Sequence, residues 1–262
     1  MFYYRLNIEY DGTNYAGFQY QKDAPTIQGE INRALINLYG GKITTLGSSR
    51  TDTGVHAKNQ LVKITMDSSL DESKFLQEFN QTVSKDIKTL EIFKTTFDFN
   101  PIHSAQKKEY RYFFTNIRDP KNLDRRFVAN ISNELDFDSM NIALKKIIGE
   151  HDFKNFTSMG SNVESTIRTI FEAKLSTVKL NEVFEKDSLF YSEEICFELK
   201  FTGNGFLKQM IRHLVASLWS VGTSKLSLEE FEKTINGEPI PKRLWKVAPP
   251  NGLFLFNISL PK

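Results

Sequence analysis

The chain holds a single cysteine in 262 residues, and its 34 basic and 32 acidic side chains leave a formal charge of only +2. One cysteine excludes an internal disulfide framework and a thiolate metal cluster. Cys196 lies in the apolar-alternating run 195–201 and reads as core in a reduced compartment. A near-neutral balance excludes an unspecific polyanion binder, so any nucleic-acid surface must be local. No run of about 18 apolar residues occurs, which excludes a spanning helix and predicts no membrane partner. Residues 1–9 alternate as a strand rather than as a signal peptide, so a cytoplasmic protein is expected. The histidines at 56, 103, 151 and 213 show no paired ligand spacing, and no metal is expected. A Ser or Cys hydrolase lacks its supporting motif.

What is present is a hydrophobic fraction of 40%, 22 Phe and 9 Tyr, enough for one large or two small cores. Most of these rings must be core, although a few beside Arg or Lys could stack on bases. The first half reads strand, helix, strand, strand, helix, strand. Residues 2–9 alternate; Ile27, Ile31, Leu35 and Leu38 recur at helical spacing, and Gly40-Gly41 stops that helix. Residues 42–46 and 60–65 read as strands; Phe75, Leu76, Phe79 and Val83 mark a second helix, and 89–97 a fourth strand. The second half repeats the order, with strands at 109–116, 167–176, 194–202 and 253–259. Its first helix is expected to be capped by Asp138, and its second to run from 206 to 221 with Gly222 just after it. Ser227-Leu228-Glu229-Glu230 is a capping box opening one extra short helix. The expected class is therefore α+β: two ferredoxin-like β-α-β-β-α-β halves, 1–100 and 101–262, with a central cleft between their sheets.

The stretch 47–57 joins two of these strands and puts Arg50, Asp52 and His56 within seven residues, with Gly47 and Gly54 bracketing Arg50 and Asp52. Thr51 and Thr53 offer hydroxyls that can fix the carboxylate between them. An Asp between glycines is also a common turn former, and His56 reads equally as a ligand, an acid-base group or a packed ring. Between the first strand and helix, Asp11-Gly12 predicts a turn, while Gln19 and Gln21 flanking Tyr20 could read a base or sugar edge. In the second half, Tyr110 opens an alternating aromatic strand. Lys208 and Arg212 stand four apart after Gly203-Asn204-Gly205, a helix start whose N–H groups could hold a phosphate. Leu253 follows the turn 249–252 and reads as a plain strand residue or as an apolar contact for a flat ligand. Basic pairs recur at 107–108, 125–126, 145–146 and 242–243, each a solvated face or a binding patch.

Taken in order, these pieces resemble the TruA-type tRNA pseudouridine synthases over nearly the whole chain. Arg50-Thr51-Asp52-Thr53-Gly54-Val55-His56 matches the family's central loop, with Ser49 in place of a glycine. Further matches are Tyr10 to Tyr15 with Gly17-Phe18-Gln19, Tyr110-Arg111-Tyr112, Phe206 with Met210-Ile211-Arg212, and Gly252 to Leu255. Ile102 and Ser217 stand where an arginine and a glycine are common. The resemblance implies a cofactor-independent isomerase converting uridines 38 to 40 of the tRNA anticodon stem-loop to pseudouridine, working as a homodimer. It implies Asp52 as the catalytic carboxylate, Tyr110 stacking on the uracil and Arg212 pairing with Asp52. Arg50 would aid nucleotide flipping and Leu253 would pack against the base, with Gln19 and Lys208 as further substrate contacts. The competing expectations are a synthase of another RNA and a non-catalytic tRNA-binding protein.

Overall fold

The computed structural model describes residues 1–117, 124–158, 163–240 and 243–261. The first compact unit comprises Met1–Gln106 with Asp187–Leu189 and Phe254–Lys262, the second Lys107–Lys186 with Phe190–Leu253.

In the first unit β1 (Phe2–Tyr10) leads to α1 (Ile27–Tyr39), then β2 (Ile43–Gly47), β3 (His56–Met66), α2 (Glu72–Thr82) and β4 (Ile87–Lys94). Alternation along β1 sends Tyr4, Leu6, Ile8 and Tyr10 inward, all with no solvent exposure, and turns Arg5 and Asn7 to the opposite face. The Thr26 hydroxyl caps α1 by accepting from the Gly29 N–H, and Gly40 ends it at φ 62°. All pairings among the four strands are antiparallel: β1 with β3 and with β4, and β2 with β3. The order β4-β1-β3-β2 is the ferredoxin-like arrangement. β2 pairs only Val62 to Met66 of the longer β3.

In the second unit β5 (Lys107–Thr115) is followed by β6 (Ala129–Asn130), α3 (Phe137–Ile147), β7 (Gly149–Asp152) and a 3-10 turn (Phe153–Phe156). Then come β8 (Ile167–Lys179), α4 (Leu180–Val183), β9 (Ile195–Gly203), α5 (Met210–Gly222) and α6 (Leu228–Ile235). β5, β9, β8 and β7 pair antiparallel in that order, and β6 lies parallel to β5. The core gathers around α5, whose residues are buried except Arg212. Trp219 meets Tyr112 and Phe114 edge-on at 5.6 and 5.5 Å. Ser217 is tolerated in this apolar helix because its hydroxyl donates back to the Leu214 carbonyl at 2.8 Å. The chain closes with β10 (Leu253–Ser259), which runs parallel to β3 with Phe254 opposite His56. It pairs with His56 and Ala57 at the start of β3, outside the stretch that β2 covers.

The α+β architecture is as expected, with three local corrections. Asp136, not Asp138, caps α3: its extended backbone lets the carboxylate accept from the N–H groups of Asp138 and Ser139. Helix α5 begins at Met210, because Gln209 sits at φ 60°, ψ 10° and cannot propagate a right-handed helix. Lys208 therefore precedes the helix and does not share a helical face with Arg212. Gly222, expected beyond the helix, is its last residue.

Candidate active site

Residues 48–55 form the loop between β2 and β3, held through both its backbone and its side chains. Gln60 on β3 clamps Ser49 from both sides: its amide oxygen accepts the Ser49 N–H at 3.2 Å and its NH2 donates to the Ser49 carbonyl at 2.6 Å. The Ser48 hydroxyl donates to the Pro101 carbonyl. The Tyr10 and Thr51 hydroxyls meet at 2.8 Å in a buried contact, and the Phe18 N–H donates to the Thr51 carbonyl at 3.1 Å. At the far end the Gly54 N–H reaches the Tyr15 carbonyl, and the Val55 N–H closes a turn on the Asp52 carbonyl at 3.2 Å.

Two glycines of the segment 11–18 make this approach possible. A Cβ on Gly12 would lie 2.0 Å from the Val55 carbonyl oxygen, and one on Gly17, at φ 102°, would lie 2.7 Å from the Thr51 oxygen. His56 is fully buried, stacked on Phe254 with ring centroids 4.7 Å apart. Its Nδ1 lies 3.1 Å from the Gly12 nitrogen and 3.2 Å from an Asp11 carboxylate oxygen. A bare Nδ1 accepts the Gly12 N–H and a protonated one donates to Asp11, so either tautomer ties β3 to the turn after β1. Burial works to raise the Asp11 pKa, but hydrogen bonds from His56 and Thr13 outweigh it and hold the carboxyl at about 2. With the loop backbone so engaged, Asp52 is half-buried and Arg50 and Thr53 are exposed.

In the second unit Tyr110 is buried on β5, its ring edge-on to Phe206 at 5.2 Å. Arg212, half-buried in the first turn of α5, is fixed by a reciprocal pair. Its Nε donates to the Ala248 carbonyl at 2.7 Å, and the Ala248 N–H donates to the Arg212 carbonyl at 3.2 Å. The Tyr112 hydroxyl donates to the Pro249 carbonyl at 2.9 Å. The 3-10 turn Pro250–Gly252 then delivers buried Leu253, and a Cβ on Gly252 would strike the Phe113 carbonyl at 2.4 Å.

Comparison with known proteins places this geometry. The chain is 35% identical to tRNA pseudouridine synthase A of Acetivibrio thermocellus over 254 residues, covering 97% of this chain and 98% of that one. It is 35% identical to the enzyme of that name from Clostridium botulinum, covering 97% and 98%, and 34% identical to that of Listeria welshimeri, covering 98% of each. The chain belongs to the tRNA pseudouridine synthase A family. The family profile described as tRNA pseudouridine synthase matches residues 143–261, the stretch holding β8, β9, α5 and β10.

Within this synthase-family chain, Arg50 and Asp52 share the clamped loop, and Gln19 stands exposed one residue after Phe18, whose N–H holds that loop. Tyr110, Arg212 and Leu253 come from β5, α5 and β10. Lys208 is exposed in the turn before α5, where its carbonyl accepts the Ser158 N–H at 3.3 Å. Of the basic pairs, Arg126 is bonded to Asp124, Lys146 to Glu232, and Arg243 to the Asn155 and Thr157 carbonyls and His213. Lys242 lies outside the described residues. Sequence reasoning missed Tyr10, Gln60 and Gly12 as parts of the loop's mounting. For Tyr10 the available signal is chemical type, a polar group at the end of an otherwise apolar strand face.

Proposed function

We propose that this protein isomerises uridine to pseudouridine in the anticodon arm of tRNA, at positions 38 to 40, with Asp52 as its catalytic carboxylate. The reading is carried by one observation. A loop of the family's motif is bonded through its backbone to β3 and the segment 11–18 and through the Thr51 hydroxyl to β1, so that the partly exposed Asp52 stands on a rigid mount. The reaction breaks the C1′–N1 glycosidic bond, turns the uracil, forms C1′–C5, and moves the C5 proton off as N1 gains one. An ionised Asp52 serves this by attacking ring or sugar or by taking a sugar proton, and Arg212 keeps it charged by pairing with it. Tyr110 holds the detached ring by stacking and takes part in the loss of the C5 proton, directly or through water. Leu253 packs against the base, and Gln19 and Lys208 contact the RNA strand. Because a stacked uridine is inaccessible, it is extruded at about a few kcal/mol, which the planar Arg50 guanidinium offsets by filling the gap. The protein works in the cytoplasm as a homodimer.

The test is tritium release from tRNA labelled at uridine C5, comparing the native protein with Asp52→Asn at matched tRNA occupancy. Release by the native protein, abolished in a variant that still binds tRNA, is the expected result. Tight tRNA binding without release from any tRNA would overturn the enzymatic reading in favour of an RNA-binding protein.

A further inference from the structure

A second site lies on the first unit's sheet, on the face opposite its buried β1 residues. Arg5 stands directly across from Lys63 on β3 and Phe93 on β4. Two like charges facing each other across a ladder are unfavourable unless each finds a counter-charge or an acceptor. Lys63 has found acceptors: its ammonium donates to the Phe97 and Phe99 carbonyls, both at 2.7 Å. Arg5 has not. Its guanidinium carbon lies 4.3 Å from the centre of the Phe93 ring, and its Nε is enclosed with no hydrogen-bond partner among the described residues. An enclosed cationic donor with no acceptor is costly, and such a group calls for an explanation.

The explanation is the space beside it. Arg5 lines a cavity of about 190 Å³ whose other polar side chains are Lys94, Thr95 and Ser104, with Phe93 and Phe99 among its apolar walls and no carboxylate side chain on its lining among the described residues. Lys94 is mostly exposed and shares its charge with Glu72 at 3.3 Å, which leaves Arg5 as the principal unsatisfied cation. A planar guanidinium braced on an aromatic ring, in a cavity that Thr95 and Ser104 also line, suits an oxyanion presenting several acceptors at once.

We propose that this cavity is a phosphate-binding site, distinct from the Asp52 loop, and that it takes a phosphodiester of the bound RNA strand. The RNA source rests on the function proposed above, whereas the phosphate chemistry rests on the cavity alone. The experiment separates the two. Inorganic phosphate is titrated into the native protein at constant ionic strength, and the Arg5 Nε–H resonance is followed. A saturable shift with phosphate and none with chloride is expected. The dependence of tRNA affinity on salt is then measured for the native protein and for Arg5→Met, which retains the aliphatic packing on Phe93. The variant is expected to lower the slope of log K against log salt by about 1 while leaving tritium release at saturating tRNA unchanged. A phosphate shift with an unaltered slope would support the site but overturn the RNA source in favour of a free phosphate ligand. No phosphate shift and an unaltered slope would overturn the proposal outright. Absence of tritium release from the native protein would overturn the proposed function while the phosphate titration still decides the site.

Discussion

Replacing Gly12 by alanine tests whether the Asp52 loop is positioned by its close approach to the segment 11–18. A Cβ there would lie 2.0 Å from the Val55 carbonyl oxygen and 2.7 Å from its carbon, both backbone atoms, whereas real Cβ contacts essentially never fall under 3.0 Å. The Val55 carbonyl must retreat by about 1 Å or more, and the turn bond from the Val55 N–H to the Asp52 carbonyl carries the shift to Asp52. Overpacking of this kind costs about 1–3 kcal/mol. A misplacement of about 1 Å in a catalytic constellation can cost roughly 100-fold in rate. Gly12→Ala should therefore lower the urea midpoint by the equivalent of about 2 kcal/mol and cut tritium release at saturating tRNA by one to two orders of magnitude. Gly40→Ala is the control: Gly40 has φ 62° and ψ −160°, a region nearly restricted to glycine, but nothing within 4 Å of its Cβ position, so it should cost about 1–3 kcal/mol of stability with no change in release. A Gly12→Ala protein with native midpoint and native turnover would refute the positioning argument. Equal losses of turnover in both variants would show that general destabilisation, and not the loop, sets the rate.

Two further perturbations address the same mount. Gln60→Leu removes both hydrogen bonds to Ser49, a loss of about 2 kcal/mol at roughly 1 kcal/mol per bond that a urea titration would register; an unchanged midpoint would show that water replaces the clamp. Asp11 has its folded pKa depressed to about 2 from 3.8, so its contribution is present above pH 4 and is lost as pH falls toward 2. With the side chain 9% exposed, the shift is worth about 2 kcal/mol. Native protein should lose roughly that much more stability than Asp11→Asn between pH 5 and 2, and parallel pH profiles would sink the assignment.

The sequence made the first unit legible because its elements are long and periodic: β1 alternates over nine residues, and α1 is bounded by a side-chain cap and a glycine. The capping box of α6 was equally readable, since Ser227 and Glu230 bond reciprocally as their spacing predicts. The start of α5 was not. Phe206 and Leu207 continue its apolar stripe, yet Gln209 adopts a left-handed conformation that an amide side chain does not advertise. β6 and β7, at two and four residues, are too short for alternation to register. In Asp136-Phe137-Asp138 the two carboxylates are indistinguishable until one backbone is known to be extended.

The same limit applies to the segment 11–18. Its glycines and the neighbouring amides suggest an RNA-reading loop, and Gln19 does remain exposed. The Gln21 amide, however, donates to the Ala16 carbonyl at 3.1 Å and so stabilises its own segment. The backbone of that segment is turned on the Asp52 loop, through Gly12, Tyr15, Gly17 and Phe18. Only strand register, which brings Tyr10 opposite Ala57, puts a hydroxyl 41 residues away in chain within reach of Thr51. The two motifs that stand apart in sequence are thus one mechanical object: the second carries the carboxylate, and the first fixes where that carboxylate can be.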